Sequence, residues 1–339
     1  MQRARILVSA TAITLLSAGA AFGQWQPDRP IQIIVPWSAG GSTDQVTRVV
    51  APILEEELGQ SVVVVNQPGA SGSIGTKAAL DAPRDGYTWT ANAIANNATY
   101  SVVGLVEDTD IDDYRVYLHV ANVPVVSVHP DAPYEDFGQL LEAMQSGDDV
   151  TVATAGVNSS GGMALAAIAE QAPIEYRMVS YDGGNPAVIA TAGGETIATT
   201  QLAVEQSEMI RGGRLRPLAA LSANPLEIEG IEPIPSITEW LPDIPVAPDY
   251  FGVFIPVGAP QEVYDTVDRI WAEKVMNSSE LKSYATERGA FFDPSFGDDA
   301  RAKAMPIAIA EACARVERDE AVLDPSEIGI DCETMSEMK

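Results

Sequence analysis

The segment IQIIVPWSAGGSTDQVTRVV, residues 31–50, decides the fold of this chain. Its first five residues are apolar apart from Gln32, which is typical of a strand buried on both faces of a sheet. A loop of glycine, serine and threonine follows, and apolar residues then recur at helical spacing from Val46 and Val50 up to Gly59, where a glycine typically ends a helix. The segment therefore predicts a strand, a polar loop and a helix that begins at that loop.

The same alternation continues and then starts again further along the chain. Residues 62–65 and 87–91 indicate two more strands, and a β-α-β-α-β order predicts a parallel sheet with helices on its faces. A second series begins near residue 120. We therefore predict two α/β lobes, each a mainly parallel sheet flanked by helices. Lobe I would contain residues 24–121 plus 245–339, and lobe II would contain residues 122–244.

Two crossover segments, near residues 121 and 245, would join these lobes. The second crossover comes at the end of residues 224–249, an acidic, proline-rich stretch that predicts a connection without regular structure. A chain of 339 residues exceeds what one hydrophobic core usually serves, which also favours two lobes. A cleft between two lobes is a common place for a small ligand.

The N-terminus carries the features of a cleavable export signal. Arg3 and Arg5 precede a mainly apolar run, and small residues at Ala21 and Gly23 fit a signal-peptidase site. The apolar run is shorter than the roughly 20 residues that span a bilayer. Residues 1–23 are therefore predicted to be the signal peptide of a protein exported to the periplasm, with an uncleaved N-terminal anchor as the alternative.

The bulk composition is strongly acidic. The chain has 48 Asp and Glu residues against 20 Lys and Arg, which gives a formal net charge of −28 at pH 7. Because nucleic acids and anionic lipids bind through clustered basic residues, this composition argues against both as partners. An acidic small molecule would also be repelled by the surface as a whole, so a site for it must be local and well formed.

Cysteine and histidine are scarce. Cys313 and Cys332 are the only cysteines, and in an oxidising compartment they are predicted to form a disulfide, with free thiols as the alternative. His119 and His129 lie far from both cysteines in the sequence, so we expect no metal site. We expect no cofactor, since neither the phosphate-loop pattern nor the dinucleotide fingerprint is present.

Two loops share one design, in which a strand is followed by glycines and small hydroxyl residues at the start of a helix. The first is residues 38–44 and the second is residues 156–162. Glycines let a ligand approach the backbone, and the N–H groups and dipole of a helix start favour an anion such as a carboxylate. If the lobes face each other, the loops can hold the two ends of a small dicarboxylate. A purely structural role is the alternative for each loop.

Asp44 and Trp37 in the first loop each allow two interpretations. Asp44 either stabilises the first turn of the helix through the helix dipole or contacts a hydroxyl or amino group of a ligand, directly or through water. Trp37 is either a core aromatic residue or a lid over the ligand, and its place in the loop favours the cleft.

Longer motifs extend over nearly the whole chain after residue 23. Residues 30–75 contain PIQIIVPW, AGGSTD and VVNQPGASGSIG, followed by DGYT at residues 85–88 and ATAG at residues 153–156. YDGG at residues 181–184 and GGRLRPLA at residues 212–219 complete the series. In these motifs the chain resembles the solute receptors of tripartite tricarboxylate transporters, the TctC or Bug family.

The resemblance implies a two-lobed periplasmic-binding-protein, or Venus-flytrap, fold that closes around a small carboxylic acid and delivers it to the membrane permease subunits of a transporter. It implies ligand contacts from main-chain amides and small hydroxyls, often through water, and we expect a monomer. Carried over by position, the contacts are Trp37, Ala39, Gly40, Gly41, Thr43 and Asp44 in lobe I and Asn158, Ser159, Ser160, Tyr181 and Gly183 in lobe II. Asn96 and Asn97, which follow the third strand, are added to them.

Two departures from the family pattern bear on the ligand. Many members carry a histidine shortly after the second-loop serines, where this chain has Gly161 and Gly162, and many carry Lys or Arg after the tyrosine, where it has Asp182. Both changes remove positive charge from the cleft. We therefore expect a monocarboxylate or a small dicarboxylate instead of a tricarboxylate such as citrate.

A binding protein without catalysis is predicted; the alternative from another class is an exported hydrolase or lyase, which the residues disfavour. His119 and His129 both lie close to the predicted first crossover, and the sequence has no Gly-x-Ser-x-Gly elbow and no cluster of metal ligands. A receptor that reports its ligand to a membrane sensor kinase is the alternative to transport, because closed lobes act as the signal in both.

Overall fold

The computed structural model describes residues 25–107 and 109–338, and the predicted signal peptide lies outside them. The strands are β1 (Ile31–Val35), β2 (Val62–Asn66), β3 (Thr88–Ala93), β4 (Tyr114–Asn122), β5 (Pro124–Val128), β6 (Thr151–Thr154), β7 (Arg177–Ser180), β8 (Ala198–Leu202), β9 (Arg216–Ala220), β10 (Leu226–Ile228), β11 (Ile231–Ile234), β12 (Asp249–Pro256), β13 (Ala290–Phe296), β14 (Ile330–Asp331) and β15 (Ser336–Glu337). The α-helices are α1 (Ser42–Leu58), α2 (Ser73–Asp81), α3 (Ile94–Thr99), α4 (Phe137–Gln145), α5 (Ser160–Gln171), α6 (Gly184–Ala192), α7 (Ala203–Arg211), α8 (Gln261–Glu273), α9 (Ser279–Arg288) and α10 (Gly297–Glu317). Within the described part of the chain, no helix has both the length and the apolarity that crossing a membrane requires.

The first sheet has the strand order β13-β4-β12-β3-β1-β2 and forms lobe I with the helices packed on it. β1 lies parallel to β2 and β3, as the β-α-β-α-β order predicts. β12 runs antiparallel to β3 and β4, and β13 runs antiparallel to β4. The sheet is therefore mixed, where the sequence predicted a mainly parallel one. The reason is the double crossover: β4 leads out of lobe I and β12 leads back in beside it, so these neighbours run in opposite directions.

The second sheet, in lobe II, has the strand order β7-β6-β8-β5-β9. β6 is parallel to β7 and β8, whereas β5 is antiparallel to β8 and β9. Only Val123 separates β4 of the first sheet from β5 of the second, and the chain re-enters the first sheet at Asp249. The two-lobed α/β fold is thus confirmed, with a mixed sheet in each lobe, while the lobe limits stay a prediction.

The first helix shows why this sequence folds as predicted. Val46, Val50 and Leu54 recur at helical spacing, and all three are fully buried in the core of lobe I. Burial of each such side chain stabilises the fold by about 1.5–3 kcal/mol. Gly59 ends the helix in the left-handed conformation (φ 65°), and its N–H donates to the carbonyl of Glu55.

Residues 224–249 are more regular than their proline content predicts. β10 and β11 form an antiparallel hairpin with Leu226 opposite Ile234. Leu226, Ile228 and Ile234 are buried in an apolar cluster of lobe II. Pro233 is tolerated in β11 because a two-stranded hairpin leaves one edge of each strand without ladder hydrogen bonds.

The last helix connects the two lobes. α10 packs along α3 in lobe I, and near its end Arg318 pairs with Glu170 of α5 in lobe II. Arg315 is 2% exposed, and its Nη2 donates to Oδ1 of Asn158 in the second loop (3.0 Å). Cys313 of α10 forms a disulfide with Cys332, so the C-terminal segment is fastened to this helix.

Candidate ligand-binding site

Asp44 organises the first loop from the first turn of α1, where it is 4% exposed. One carboxylate oxygen accepts a hydrogen bond from Gly40 N (2.9 Å), and the other accepts from Arg48 Nε (3.0 Å) and Asn66 Nδ2 (2.9 Å). Burial opposes ionisation, but hydrogen bonds and the charge of Arg48 lower the pKa of Asp44 overall. The ionised carboxylate therefore stabilises the loop from a position away from the cavity wall.

Trp37 is anchored by a buried network of polar side chains. Its indole Nε1 donates to Oδ1 of Asn92 (2.9 Å), and Nδ2 of Asn92 donates to Asn97 Oδ1 (2.9 Å) and to Tyr100 Oη (3.1 Å). Such networks stiffen the groups that they join. The indole is 7% exposed and forms part of the wall of the cleft, so it is both a core residue and a cleft residue.

The second loop contains Ser159, which caps the N-terminus of α5. Ser159 precedes α5, and its Oγ donates to Gly156 O (2.7 Å) and accepts from Gly162 N (3.0 Å). Gly156 has a φ of 102°, in the region that favours glycine. A Cβ at Gly161 would overlap the carbonyl oxygen of Thr200 in β8. Helix α5 can therefore start this close to the sheet only without a side chain at Gly161.

The two loops lie in a closed cleft. Ser38 N of the first loop donates to Asp182 O of lobe II (3.1 Å). Thr99 Oγ1 of α3 donates to Asn158 Oδ1 of the second loop (3.0 Å), and Asn96 Nδ2 donates to Asn158 O. These hydrogen bonds join lobe I directly to lobe II, so the structure represents a closed conformation.

A small cavity remains between the loops, with a volume of about 20 Å³. That volume holds about one water molecule. Both lobes contribute to its wall, which consists of Trp37, Ser42, Thr43, Asn96, Ala155, Ser159, Ser160, Gly184, Gln201, Leu202, Glu205 and Phe251. None of these residues is Lys, Arg or His. An organic ligand can enter only after the lobes move apart.

Some of the contacts predicted from sequence lie on this wall and others do not. Those on the wall are Trp37, Thr43, Asn96, Ser159 and Ser160. Those away from it are Ala39, Gly40, Gly41, Asp44, Asn97, Asn158, Tyr181 and Gly183. Tyr181 differs most, because its hydroxyl donates to Glu195 at an exposed position (2.9 Å). The part that each of these residues takes in ligand binding stays a prediction.

Glu205 is a wall residue for which the sequence offers no signal. It lies in the first turn of α7, and its Oε1 accepts a hydrogen bond from Ser42 N at the start of α1 (2.9 Å). Burial raises the pKa of Glu205, although hydrogen bonds from Ser42 and Leu202 favour the ionised form. Ser42 and Glu205 are 163 positions apart, so no local motif could connect them.

Asp249 joins the lobes where the chain re-enters lobe I. Its Oδ2 accepts from Ser160 Oγ at the start of α5 (2.6 Å), and its Oδ1 accepts from Ala95 N in α3 (3.4 Å). Burial raises the pKa of Asp249 to about 7; the hydrogen bond from Ser160 opposes this rise and the charge of Glu311 adds to it. The carboxyl group is thus poised to titrate near neutral pH at the second crossover.

The cavity wall has polar groups of few kinds. Its functional groups are hydroxyls, amides, main-chain N–H groups and the Glu205 carboxylate. His119 lies fully buried in β4, where burial lowers its pKa to about 3. Across residues 25–107 and 109–338, no three His, Cys, Asp or Glu side chains come together as a group that could hold a metal ion.

Comparison with known proteins identifies the family. Residues 46–298 match the model of the TctC family, described as the tripartite tricarboxylate transporter family receptor. A relative from Pseudomonas sp. (strain P51), described as a UPF0065 protein in the tcbD-tcbE intergenic region, is 32% identical over 279 residues, which cover 80% of this chain and 80% of the relative.

Solved structures agree with this assignment. The periplasmic binding protein BugD superposes with a TM-score of 0.77 at 21% identity, over 87% of this chain and 99% of BugD. A protein of R. palustris solved with adipate superposes with a TM-score of 0.74 at 25% identity, over 86% of this chain and 96% of that one. The chain therefore belongs to the receptor family of the tripartite tricarboxylate transporters, the TctC or Bug family.

Proposed function

We propose that this chain is an extracytoplasmic solute receptor that captures a small organic carboxylate between its lobes and delivers it to a tripartite membrane transporter. One observation carries the proposal: the starts of α1 and α5, from opposite lobes, border the same cavity through Thr43, Ser159 and Ser160. A helix start has N–H groups without helical partners, and its dipole favours an anion. The adipate in the R. palustris neighbour supports a carboxylate as the ligand class.

Ligand capture requires hinge motion at the two crossovers. An open form, in which the bonds from Ser38 to Asp182 and from Thr99 to Asn158 are broken, admits the ligand. A ligand that contacts both lobes binds the closed form better and shifts the population toward it. In this proposal lobe I consists of residues 24–121 plus 245–339 and lobe II of residues 122–244.

The cellular setting belongs to the same proposal. Residues 1–23 direct export, and the mature chain works in the periplasm as a monomer. The acidic composition, a formal net charge of −28 for the full 339-residue chain, opposes self-association. The closed lobes form the surface that the permease subunits of the transporter recognise.

Thermal melting of the mature chain with mono-, di- and tricarboxylic acids tests this function. An acid present at about 100 times its Kd stabilises the folded state by about 2.7 kcal/mol, which raises the melting temperature measurably. We expect a mono- or dicarboxylate to do so and citrate not to. Failure of every acid to stabilise the protein would contradict the proposal.

A matched pair of variants on one helix tests the location of the site. Thr43→Val removes a hydroxyl from the cavity wall, and we expect it to weaken acid binding about tenfold. Thr47→Val removes a hydroxyl one turn further along α1, which bonds to Thr43 O (2.6 Å) away from the wall, and should leave affinity unchanged. Equal affinities of the two variants in calorimetric titration would place the ligand elsewhere.

A further inference from the structure

The carboxylate of Glu205 lies at the start of α1, although Glu205 itself belongs to lobe II. Its Oε1 accepts from Ser42 N, in the first residue of α1, at 2.9 Å. Its Oε2 accepts from Leu202 N at 3.3 Å. With the Gln201 amide turned so that its oxygen accepts from Ala155 N (2.9 Å), the Gln201 nitrogen also donates to Oε2 (3.0 Å). The carboxylate therefore has hydrogen-bond donors from both lobes.

Two glycines leave room for this carboxylate to lie against the backbone at the starts of two helices. A Cβ at Gly184, the first residue of α6, would overlap the carboxylate of Glu205. A Cβ at Gly41, which precedes α1, would lie 3.3 Å from its Oε1. Because both helix dipoles favour an anion at this point, it is the place where a ligand carboxylate would bind if Glu205 were absent.

Nothing on the cavity wall compensates a second negative charge beside Glu205. The wall residues include no Lys, Arg or His. A ligand carboxylate at the start of α1 would therefore meet Glu205 at close range, and two carboxylates that share a site do not both ionise readily. A hydroxyl or ammonium group at the same place can instead donate a hydrogen bond to Glu205.

At the start of α5 the nearby carboxylate of Asp249 binds a side-chain hydroxyl and leaves the main-chain N–H groups to a ligand. Ser159 and Ser160 line the cavity, and the N–H groups of Ser160 and Gly161 are in the first turn, where the helix supplies no acceptor. Asp249 accepts from the hydroxyl of Ser160, not from these main-chain groups. The start of α5 is therefore the end of the cavity where a ligand carboxylate finds main-chain donors.

We propose that Glu205 determines the specificity of the cleft, because it replaces one ligand carboxylate at the start of α1. The receptor then takes monocarboxylates that carry a hydroxyl or ammonium group at the opposite end. The ligand carboxylate binds at the start of α5, its donor group binds Glu205, and dicarboxylates of the same length are rejected. This inference rests on the proposed function, since it concerns the same cleft.

Calorimetric titration at neutral pH with matched acids tests the inference. Succinate is compared with γ-hydroxybutyrate and γ-aminobutyrate, and adipate with ε-hydroxyhexanoate and ε-aminohexanoate. We expect a hydroxy or amino acid to bind the wild-type protein at least about tenfold more tightly than its dicarboxylate, equivalent to about 1.4 kcal/mol. Glu205→Gln should abolish or reverse this preference. Glu208→Gln, which neutralises an exposed residue one turn along the same helix, should keep it.

The outcomes separate this inference from the proposed function. If wild-type protein binds a dicarboxylate as tightly as its hydroxy and amino partners, the inference fails and the receptor function stands. The same follows if Glu205→Gln melts cooperatively yet keeps the wild-type preference. If Glu205→Gln does not fold, the inference is decided by the ligand preference of Glu205→Ala and by the ratio of affinities that the wild-type protein shows for a dicarboxylate and its hydroxy and amino partners. If no acid of any class binds the wild-type protein, both the function and the inference fail.

Discussion

The starts of α1 and α5 follow loops of nearly the same sequence design, yet different groups occupy them: a carboxylate accepts from a main-chain N–H at the start of α1 and from a side-chain hydroxyl at the start of α5. The first loop is held by Asp44, and its helix start receives the carboxylate of Glu205 from the other lobe. The second loop is capped by its own Ser159 and is tied through Asn158 to Arg315 of the last helix. A glycine- and serine-rich helix start therefore does not by itself show that an anion site is vacant. Whether the site is vacant depends on residues from distant parts of the chain that contact the helix start.

Gly161→Ala should cause the largest loss of stability, because the backbone of β8 leaves no room for a side chain at this position of the second loop. The added Cβ would overlap Thr200 O and would also approach the side-chain amide of Gln201 at 2.5 Å. Overpacking costs about 1–3 kcal/mol, and overlap with backbone puts this case near about 3 kcal/mol. Gly41→Ala in the first loop meets Glu205 Oε1 at 3.3 Å and should cost less than about 1 kcal/mol. Urea unfolding of both variants measures this, and equal losses would contradict the asymmetry.

Removal of the Asp44 carboxylate should have the next largest effect. Asp44→Ala leaves Gly40 N without its acceptor and leaves Asn66 Nδ2 with Trp37 O alone (3.1 Å), which should cost about 2 kcal/mol. Ser159→Ala removes the cap of the second loop and should cost about 1 kcal/mol. Urea unfolding at neutral pH compares the two losses.

The pH dependence of the Asp44 contribution has a defined sign. Because its folded-state pKa is lowered, the contribution is complete above the unfolded pKa and is lost as the pH falls through the lower folded value. The difference in stability between wild type and Asp44→Ala should therefore shrink in strong acid. A larger loss for Ser159→Ala than for Asp44→Ala, or a difference that does not change in acid, would argue against this account.

Asp249, beside the second loop, should make the stability of the protein depend on pH. Burial raises its folded-state pKa to about 7, well above the unfolded value, so the folded state binds more protons between the two. Stability should consequently fall as the pH rises through this window, by at most about 1.4 kcal/mol per pH unit. Asp249→Asn should have a flatter profile. Thermal melting of the wild-type protein and Asp249→Asn from mildly acidic to mildly alkaline pH measures this difference. Parallel plots of stability against pH would rule out Asp249 as the source of the pH dependence.

Local pattern in the sequence was sufficient for the elements that present the loops. The strand at residues 31–35 and the end of α1 at Gly59 are confirmed. Both depend on apolar spacing and capping within a few residues, which the sequence displays directly. The positions of Trp37 and Ser159 on the wall of the cleft agree with their place in these loops.

Features that depend on distant neighbours were not predicted. The hairpin of β10 and β11 lies in a segment whose prolines indicated irregular structure, because its stability comes from burial of Leu226 and Ile234 against lobe II. The direction of β12 follows from the double crossover and not from its own residues. Tyr181 donates a hydrogen bond to Glu195, 14 positions further along the chain, and lies away from the cavity wall.

The sequence by itself determined the strand at residues 31–35, the helix that follows it, the two glycine-rich helix starts and the acidic character of the chain, because these depend on composition or on neighbours within a few residues. Only the tertiary structure decided which helix starts border one cavity, and that Glu205 fills the anion position at one of them. The physical reason is that the hydrogen bond between Ser42 and Glu205 spans 163 positions. Its formation depends on how both lobes pack and close, which no local spacing of residues encodes.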